Sequence, residues 1–191
     1  MQRLVAPVAA LLDAAEAPKY QPGDPLSGIA EMGAIVDEMQ LRTVLGYIDA
    51  GRSEGASVRV GGRQVRSETG GYFVEPTVFE GVTNQMRIAR EEIFGPVLSV
   101  IRFKTEAEAV AMANDSSYGL QASVWSHDIN RAYRVARALR AGTVHVNQYD
   151  EDDITVPFGG FKQSGNGRDK SLHAFDKYTE LKTTWIRIDA A

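Results

Sequence analysis

The most informative stretch of the sequence is Arg-Glu-Glu-Ile-Phe-Gly-Pro-Val at residues 90–97. Two adjacent carboxylates, an aromatic ring and a Gly-Pro pair stand directly before an apolar run that is typical of a β-strand. Because proline fixes its own φ and glycine permits a tight turn, the stretch predicts a rigid bend. Polar and stacking groups converge on that bend, which makes it the first candidate for a functional site.

Further motifs lie towards the C-terminal end of the chain. Val-Pro-Phe-Gly-Gly occupies residues 156–160, and Phe-Lys-Gln-Ser-Gly-Asn-Gly-Arg follows at 161–168. Together with residues 90–97, these motifs resemble the aldehyde dehydrogenase superfamily, and the resemblance extends from about residue 18 to residue 186. It implies an α/β fold that comprises the larger part of the parallel-sheet catalytic domain and a C-terminal oligomerisation strand.

Cysteine is absent from the 191 residues. In aldehyde dehydrogenases a cysteine thiolate attacks the aldehyde, hydride passes to NAD or NADP, and water hydrolyses the resulting thioester to the acid. The resemblance therefore implies a C-terminal fragment, and we expect the nucleophile, the general base and most of the cofactor domain to lie upstream of Met1. We expect no catalytic residue in this chain and no aldehyde oxidation by the chain alone.

The composition is that of an ordinary globular protein, with 43% hydrophobic and 24% charged residues. A net charge of −4 argues against nucleic acid as a partner. No apolar run has the length of a membrane span, and no secretion signal is recognisable, so we expect a cytoplasmic protein without membrane contact. The three histidines lack metal-ligand spacing, so no metal site is expected.

Periodicity and turn signals predict alternating helices and strands. The predicted helices are residues 4–17, 37–54, 105–114, a segment between Asp128 and Gly142, and 170–178. The predicted strands are 58–60, 72–78, 97–103, 120–125, 143–146 and 179–188. Alternation from residue 97 to residue 146 indicates parallel pairing. Residues 1–177 are assigned to the truncated catalytic domain, and residues 178–191 to an oligomerisation strand and tail that would make the protein a homo-oligomer.

Glu92 and Phe94 are the candidate cofactor-binding residues. A carboxylate can accept hydrogen bonds from both vicinal hydroxyls of a ribose, and a phenylalanine ring offers a flat apolar face. From spacing alone, solvated loop charges are the favoured interpretation of Glu91 and Glu92. The family resemblance favours a role for Glu92 in holding the nicotinamide ribose and for Phe94 in bordering the nicotinamide ring of NAD or NADP.

Phe158, Tyr149 and Asp152 are the candidate substrate-binding residues. The resemblance implies that Phe158 lines the aldehyde pocket and that Tyr149 is another wall, although Phe158 could instead anchor its loop on the core. The run Asp-Glu-Asp-Asp at residues 150–153 is either a solvated acidic loop or a set of carboxylates that attracts a cationic tail of the aldehyde. The surrounding sequence is similar to the γ-glutamyl-γ-aminobutyraldehyde dehydrogenase branch, which acts on aldehydes derived from polyamines.

Arg168 and Glu180 are assigned a structural role, because the resemblance implies a salt bridge between them. The function that follows is that of a fragment of an NAD(P)-dependent aldehyde dehydrogenase, with a small aldehyde as its partner. The alternative is a truncated, non-catalytic paralogue that acts as an interaction module, since a fold alone does not fix a function.

Overall fold

The computed structural model describes residues 17–149 and 153–189, which divide into two compact units on either side of the step from Thr105 to Glu106. The α-helices of these residues are Glu38–Ser53 (α1), Arg87–Arg90 (α2), Glu106–Asn114 (α3) and Ile129–Ala138 (α4). The strands are Ser57–Val60 (β1), Gln64–Val65 (β2), Phe73–Val74 (β3), Thr77–Glu80 (β4), Val97–Ser99 (β5), Tyr118–Gly119 (β6), Gln121–Val124 (β7), Thr143–Val146 (β8) and Phe161–Lys162 (β9). Short 3₁₀ helices are Ala17–Tyr20, Pro25–Ser27, Ser67–Thr69 and Leu172–Tyr178.

The first unit is built around α1 and a three-stranded sheet of order β1-β4-β5. Strand β1 pairs antiparallel with β4, and β5 pairs parallel with it. Helix α1 starts at the N-cap Asp37, whose side chain accepts a hydrogen bond from the amide of Gln40. Its apolar face contributes Leu41, Val44 and Ile48 to the core that contains Phe79 of β4. The bend at residues 91–96 therefore leads directly into a strand of this sheet.

The second unit contains the parallel pair β7 and β8, in register from Gln121 opposite Thr143 to Val124 opposite Val146. Helix α4 connects the two strands, as expected for a parallel crossover. Its N-cap, Asp128, accepts hydrogen bonds from the amides of two following residues, which confirms the predicted cap. Strands β6 and β9 form a separate antiparallel pair. No helix in residues 17–149 and 153–189 combines the length and apolar character needed to cross a membrane.

The structure confirms the α/β fold, but its sheets are mixed, since β1, β2, β3, β6 and β9 pair antiparallel. The predicted strand at 72–78 is divided into β3 and β4, with Pro76 between them, because proline cannot donate to a strand ladder. Helix α4 ends at Ala138, before Gly142, which has a different role described below. Residues 4–16 of the predicted first helix lie outside the described residues.

Residues 179–189 contain no strand, so the predicted terminal strand is not formed within the described chain. A strand exists only when its backbone groups pair with a neighbour, and none of the described residues pairs with this segment. Its large apolar side chains are exposed, with Trp185 at 93% of its full accessibility. The division at residue 178 therefore remains a prediction about the assembled protein.

Candidate functional site

The bend at residues 91–96 is held from behind by Gln40 of helix α1. The side-chain amide nitrogen of Gln40 donates to the carbonyl oxygens of Ile93, at 2.9 Å, and of Phe94, at 3.0 Å. Ile93 itself is buried in the core of the first unit. Since both carbonyls are bound by the same side chain, the orientation of successive peptide planes in the bend is fixed.

The two glutamates of the bend have different environments. The Glu91 carboxylate accepts hydrogen bonds from the Tyr47 hydroxyl at 2.7 Å and from the Arg87 Nε at 2.9 Å. The Arg87 guanidinium also lies over the Tyr47 ring, 4.6 Å from its centroid. The Tyr47 hydroxyl and, secondarily, Arg87 lower the pKa of Glu91 below its usual value, because they bind the charged form. Glu91 is thus a structural residue.

Glu92 is exposed, and its carboxylate has no hydrogen bond or ion pair within residues 17–149 and 153–189. An unpaired carboxylate at a fixed bend has all of its acceptor capacity available to a ligand. The structure therefore gives the two glutamates different roles. Glu91 stabilises the bend through its hydrogen bonds, whereas the Glu92 carboxylate is exposed and available to a ligand.

Phe94 adopts a left-handed backbone conformation with φ of 52°, and its side chain is 75% exposed. Positive φ is uncommon for a residue with a Cβ, so surrounding contacts must hold it there. The next residue, Gly95, packs so closely on Val44 that a Cβ would lie 2.5 Å from the Val44 Cγ2. Contact with helix α1 on one side thus holds the Phe94 ring out on the other.

The second candidate region is the loop that leads to Phe158. Phe158 forms an antiparallel bridge with Asp169, with N–H···O distances of 2.8 and 2.6 Å. Its ring is half-buried, and the Lys170 ammonium lies 5.5 Å from the ring centroid. The main chain of residues 158–169 therefore closes on itself, and Phe158 lies at the base of this closed loop.

Two contacts anchor the ends of the segment between β8 and Phe158. Asn147 accepts a hydrogen bond from the Ser126 amide at 2.8 Å and donates to the Ser126 carbonyl at 3.0 Å. At the other end, Gly142 approaches the main chain of Gly159, where a Cβ on Gly142 would lie 1.6 Å from the Gly159 carbonyl oxygen. Only glycine fits at residue 142, which explains why Gly142 is not used to end α4.

Arg168 binds this loop and does not pair with Glu180. Its guanidinium donates to the carbonyl oxygens of Gly160, at 3.1 Å, and of Gly167, at 2.5 Å, and it faces the ring of Phe161. Glu180 is exposed, and the described residues include no ion pair between it and Arg168. The predicted salt bridge is therefore not formed among the described residues, although a structural role for Arg168 fits its contacts with the two carbonyl oxygens.

The remaining candidates lie on the surface or outside the described residues. Tyr149 is 70% exposed. Asp152 lies outside the described residues, as do Asp150 and Glu151. Asp153 is described, and its carboxylate accepts hydrogen bonds from the amide and the hydroxyl of Thr155, both at 2.7 Å. These two bonds lower the pKa of Asp153, so this carboxylate stabilises a local turn.

Two surface depressions lie in the second unit. The smaller, of about 170 Å³, is lined by Phe158, Gly160, Asn166, Arg168 and their neighbours. The larger, of about 340 Å³, is lined by residues around Tyr118 and Leu139 and includes none of the candidate residues. Size alone therefore does not identify the site, and the smaller depression is the one that coincides with the motif at residues 156–168.

Gln40 is the functional residue that the sequence did not reveal. Its role depends on the bend 53 and 54 positions further along the chain. As a polar residue in the first turn of an amphipathic helix, it is typical of a solvated position. One feature of the sequence could have indicated the role of Gln40. It lies between the N-cap Asp37 and the first buried residue, Leu41, and is therefore near the core.

Comparison with known proteins is consistent with this geometry. The Aldehyde dehydrogenase family profile matches residues 5–184. The NADP/NAD-dependent aldehyde dehydrogenase PuuC of Escherichia coli (strain K12) is 49% identical over 175 residues, an alignment that covers 92% of this chain and 34% of that protein. The chain thus spans about a third of the length of the curated relatives that it matches.

Solved structures agree over almost the whole chain. The indole-3-acetaldehyde dehydrogenase of P. syringae in complex with NAD+ and IAA has a TM-score of 0.90 and 57% identity, covering 97% of this chain and 38% of that one. The γ-glutamyl-γ-aminobutyraldehyde dehydrogenase of Burkholderia cenocepacia J2315 has a TM-score of 0.88 and 57% identity, covering 95% and 37%. This chain belongs to the aldehyde dehydrogenase family.

Proposed function

We propose that the chain supplies the nicotinamide-ribose clamp and part of the aldehyde pocket of an NAD(P)-dependent aldehyde dehydrogenase. The observation that carries the proposal is the bend at residues 91–96, where the Glu92 carboxylate is unpaired and the Phe94 ring is held outward. The relatives support the cofactor assignment, since PuuC is NADP/NAD-dependent and the P. syringae structure contains NAD+.

In this proposal Glu92 accepts hydrogen bonds from the two hydroxyls of the nicotinamide ribose, and Phe94 borders the nicotinamide ring. When bound, the cofactor supplies the hydride acceptor. The contribution of this chain is orientation, because a hydride transfers only across a short and well-aligned distance. Gln40 and Glu91 keep the bend in place, so Glu92 and Phe94 meet the cofactor without further ordering.

The proposed substrate is an amino-aldehyde of polyamine breakdown. Phe158 and Tyr149 would contact its carbon chain, and Asp152 would attract its ammonium group. Support comes from the acidic run at residues 150–153 and from the 57% identity to the Burkholderia enzyme, which is named for γ-glutamyl-γ-aminobutyraldehyde. Asp153 is assigned to the turn at Thr155 and not to the substrate.

The chain alone should not oxidise aldehydes, because its sequence contains no cysteine to act as the nucleophile. The test has two arms. The purified chain is assayed for NADH formation with a panel of aldehydes, and none is expected. A chimera, in which this chain replaces the corresponding third of PuuC, is expected to form NADH from an aldehyde.

The control for the chimera is the same protein with the nucleophilic cysteine of its PuuC part changed to alanine, which should be inactive. Aldehyde oxidation by the chain alone would contradict the assignment of catalysis to another segment. A folded chimera that binds NAD but forms no NADH would contradict the proposed function itself.

The second candidate function is an interaction module, for which the exposed apolar residues of the terminal segment would provide a contact surface. Leu181, Trp185 and Ile188 are exposed and β-prone, and they would be covered by pairing with another copy of the chain. Self-association through residues 179–188 is compatible with both functions, so only the chimera distinguishes them.

A further inference from the structure

Asn166 and Gly167 form an exposed bend within the closed loop of residues 158–169. Within the described part of the chain, the Asn166 side chain has no hydrogen bond, and neither has the amide N–H of Gly167. Gly167 has a φ of 78°, and no atom lies within 4 Å of the position that a Cβ would take. The nitrogen of Gly167 is therefore not engaged in a hydrogen bond among the described residues, and the space beside its Cα is open.

An asparagine that precedes glycine can react with its own backbone, because glycine has no side chain to hinder the approach. The Gly167 nitrogen forms a bond to Cγ of Asn166 and loses its proton to water. The side-chain nitrogen takes a proton from water, its bond to Cγ breaks, and ammonia leaves, which gives a five-membered imide. Water then opens the imide at either carbonyl, which yields aspartate or isoaspartate without any oxidant or reductant.

Asn114 and Asn147 of the same unit are held in place by their side chains and provide an internal comparison. The Asn114 side chain donates to the Ala138 carbonyl at 2.8 Å and accepts from the Arg140 amide at 2.8 Å. Asn147 makes the two bonds to Ser126 described above. Neither of them precedes a glycine. The chain therefore contains one free Asn-Gly pair and two fixed asparagines under identical conditions.

We propose that Asn166 is a site of spontaneous deamidation in the folded protein. The product places a carboxylate in the depression lined by Phe158 and Arg168. Isoaspartate also lengthens the main chain by one methylene at residue 166, one residue before the Gly167 carbonyl, which is an acceptor for Arg168. Deamidation thus changes both the charge and the main-chain geometry of the motif at residues 156–168.

The test is incubation of the folded chain in mildly alkaline buffer, followed by peptide mass spectrometry and isoaspartyl methyltransferase labelling. Asn166 is expected to convert at least about tenfold faster than Asn114 and Asn147, because only Asn166 precedes an unhindered glycine. The rate should rise with pH, since the attacking nitrogen must lose its proton, and both aspartate and isoaspartate should form.

Two variants and one further condition make the test decisive. Asn166→Gln should abolish labelling at this position, and Asn166→Asp should give the charged product without rapid formation of isoaspartate. In urea, the rates at Asn114 and Asn147 should rise while that at Asn166 changes little. Conversion of Asn166 no faster than the two comparison residues, or only after unfolding, would overturn the proposal.

Discussion

Gln40 and Phe94 are joined by a hydrogen bond of 3.0 Å from the Gln40 side-chain amide to the Phe94 carbonyl oxygen. The bond connects the first turn of α1 to a bend that is 54 residues away in the sequence. The backbone at Phe94 is therefore fixed by helix α1.

Replacement of Gln40 by alanine should loosen the bend and lower the free energy of unfolding by about 1–2 kcal/mol, since two hydrogen bonds are lost. Urea denaturation measures this change. Gln85→Ala is the matched control, because the Gln85 side chain is exposed and has no hydrogen bond among the described residues. An equal effect of both replacements would show that the bend does not depend on Gln40.

Glu91 should make the stability of the chain depend on acid pH. Its folded pKa is lowered by the Tyr47 hydroxyl and by Arg87, so its contribution is present above the ordinary glutamate pKa of about 4.3 and is lost as the pH falls below it. The difference in unfolding free energy between wild type and Glu91→Gln should therefore be largest at neutral pH and shrink on acidification. Glu68→Gln, at an exposed glutamate without a hydrogen bond among the described residues, is the control, and a pH-independent Glu91→Gln difference would contradict the pairing.

Glu92→Gln in the PuuC chimera should slow hydride transfer by about ten- to a hundredfold, because charge-assisted hydrogen bonds to the ribose contribute about 1.5–3 kcal/mol. Single-turnover measurement of NADH formation gives the rate. The unfolding free energy should not change, since Glu92 has no partner in the described chain. Glu68→Gln is again the control, and an unaltered rate together with unaltered NAD affinity would remove Glu92 from the site.

Asp152 and Asp153 should differ in their effect on substrate choice. At about 4 Å, an ammonium and a carboxylate interact by a few kcal/mol at an intermediate dielectric constant, before desolvation, so Asp152→Asn should reduce kcat/KM for an amino-aldehyde about tenfold relative to an uncharged aldehyde of equal length. Asp153→Asn should preserve the preference, because that carboxylate caps the turn at Thr155. Equal losses for both aldehydes in the Asp152 variant would assign the acidic run a purely structural role.

The terminal segment should control the association of the chain. Light scattering of the full chain is expected to show a dimer, and of a version ending at Tyr178 a monomer with the same circular dichroism per folded residue. The physical reason is the exposed apolar surface around Trp185. The unpaired backbone of this β-prone segment can be covered by pairing with a second copy. A monomeric full chain with strong hydrogen-exchange protection in residues 179–188 would refute this expectation.

The parts of the fold that the sequence predicts well are those with strong local signals. Helix α1 has a clear cap at Asp37 and a regular apolar face, and β8 is a short run, rich in β-branched residues, that ends at Val146. Helix α2 is a single turn and carries too few residues for a periodic pattern. The terminal segment has strand composition but no partner in the described chain, and composition does not supply a partner.

The candidate site was predictable only as a set of residues, not as an arrangement. Spacing does not distinguish Glu91 from Glu92, and only the family resemblance favours Glu92 for the cofactor. The structural difference arises from Tyr47, which contacts Glu91 from α1. The partners of Arg168 could not be predicted either. They are backbone carbonyl oxygens, which every residue has, so no side-chain type in the sequence indicates them. Local patterns identify the bend and the loop, and tertiary contacts assign the role of each residue.

The segment between Asn147 and Phe158 is anchored at both ends, so it can be replaced by the corresponding segment of a relative. Asn147 is fixed to Ser126 on one side, and the Gly142–Gly159 contact and the Phe158–Asp169 bridge fix the other side. The ten residues between Asn147 and Phe158 can accordingly be treated as a cassette. Grafting this cassette from relatives with other aldehyde preferences would transfer specificity as one unit, whereas any side chain at residue 142 would disturb every graft alike.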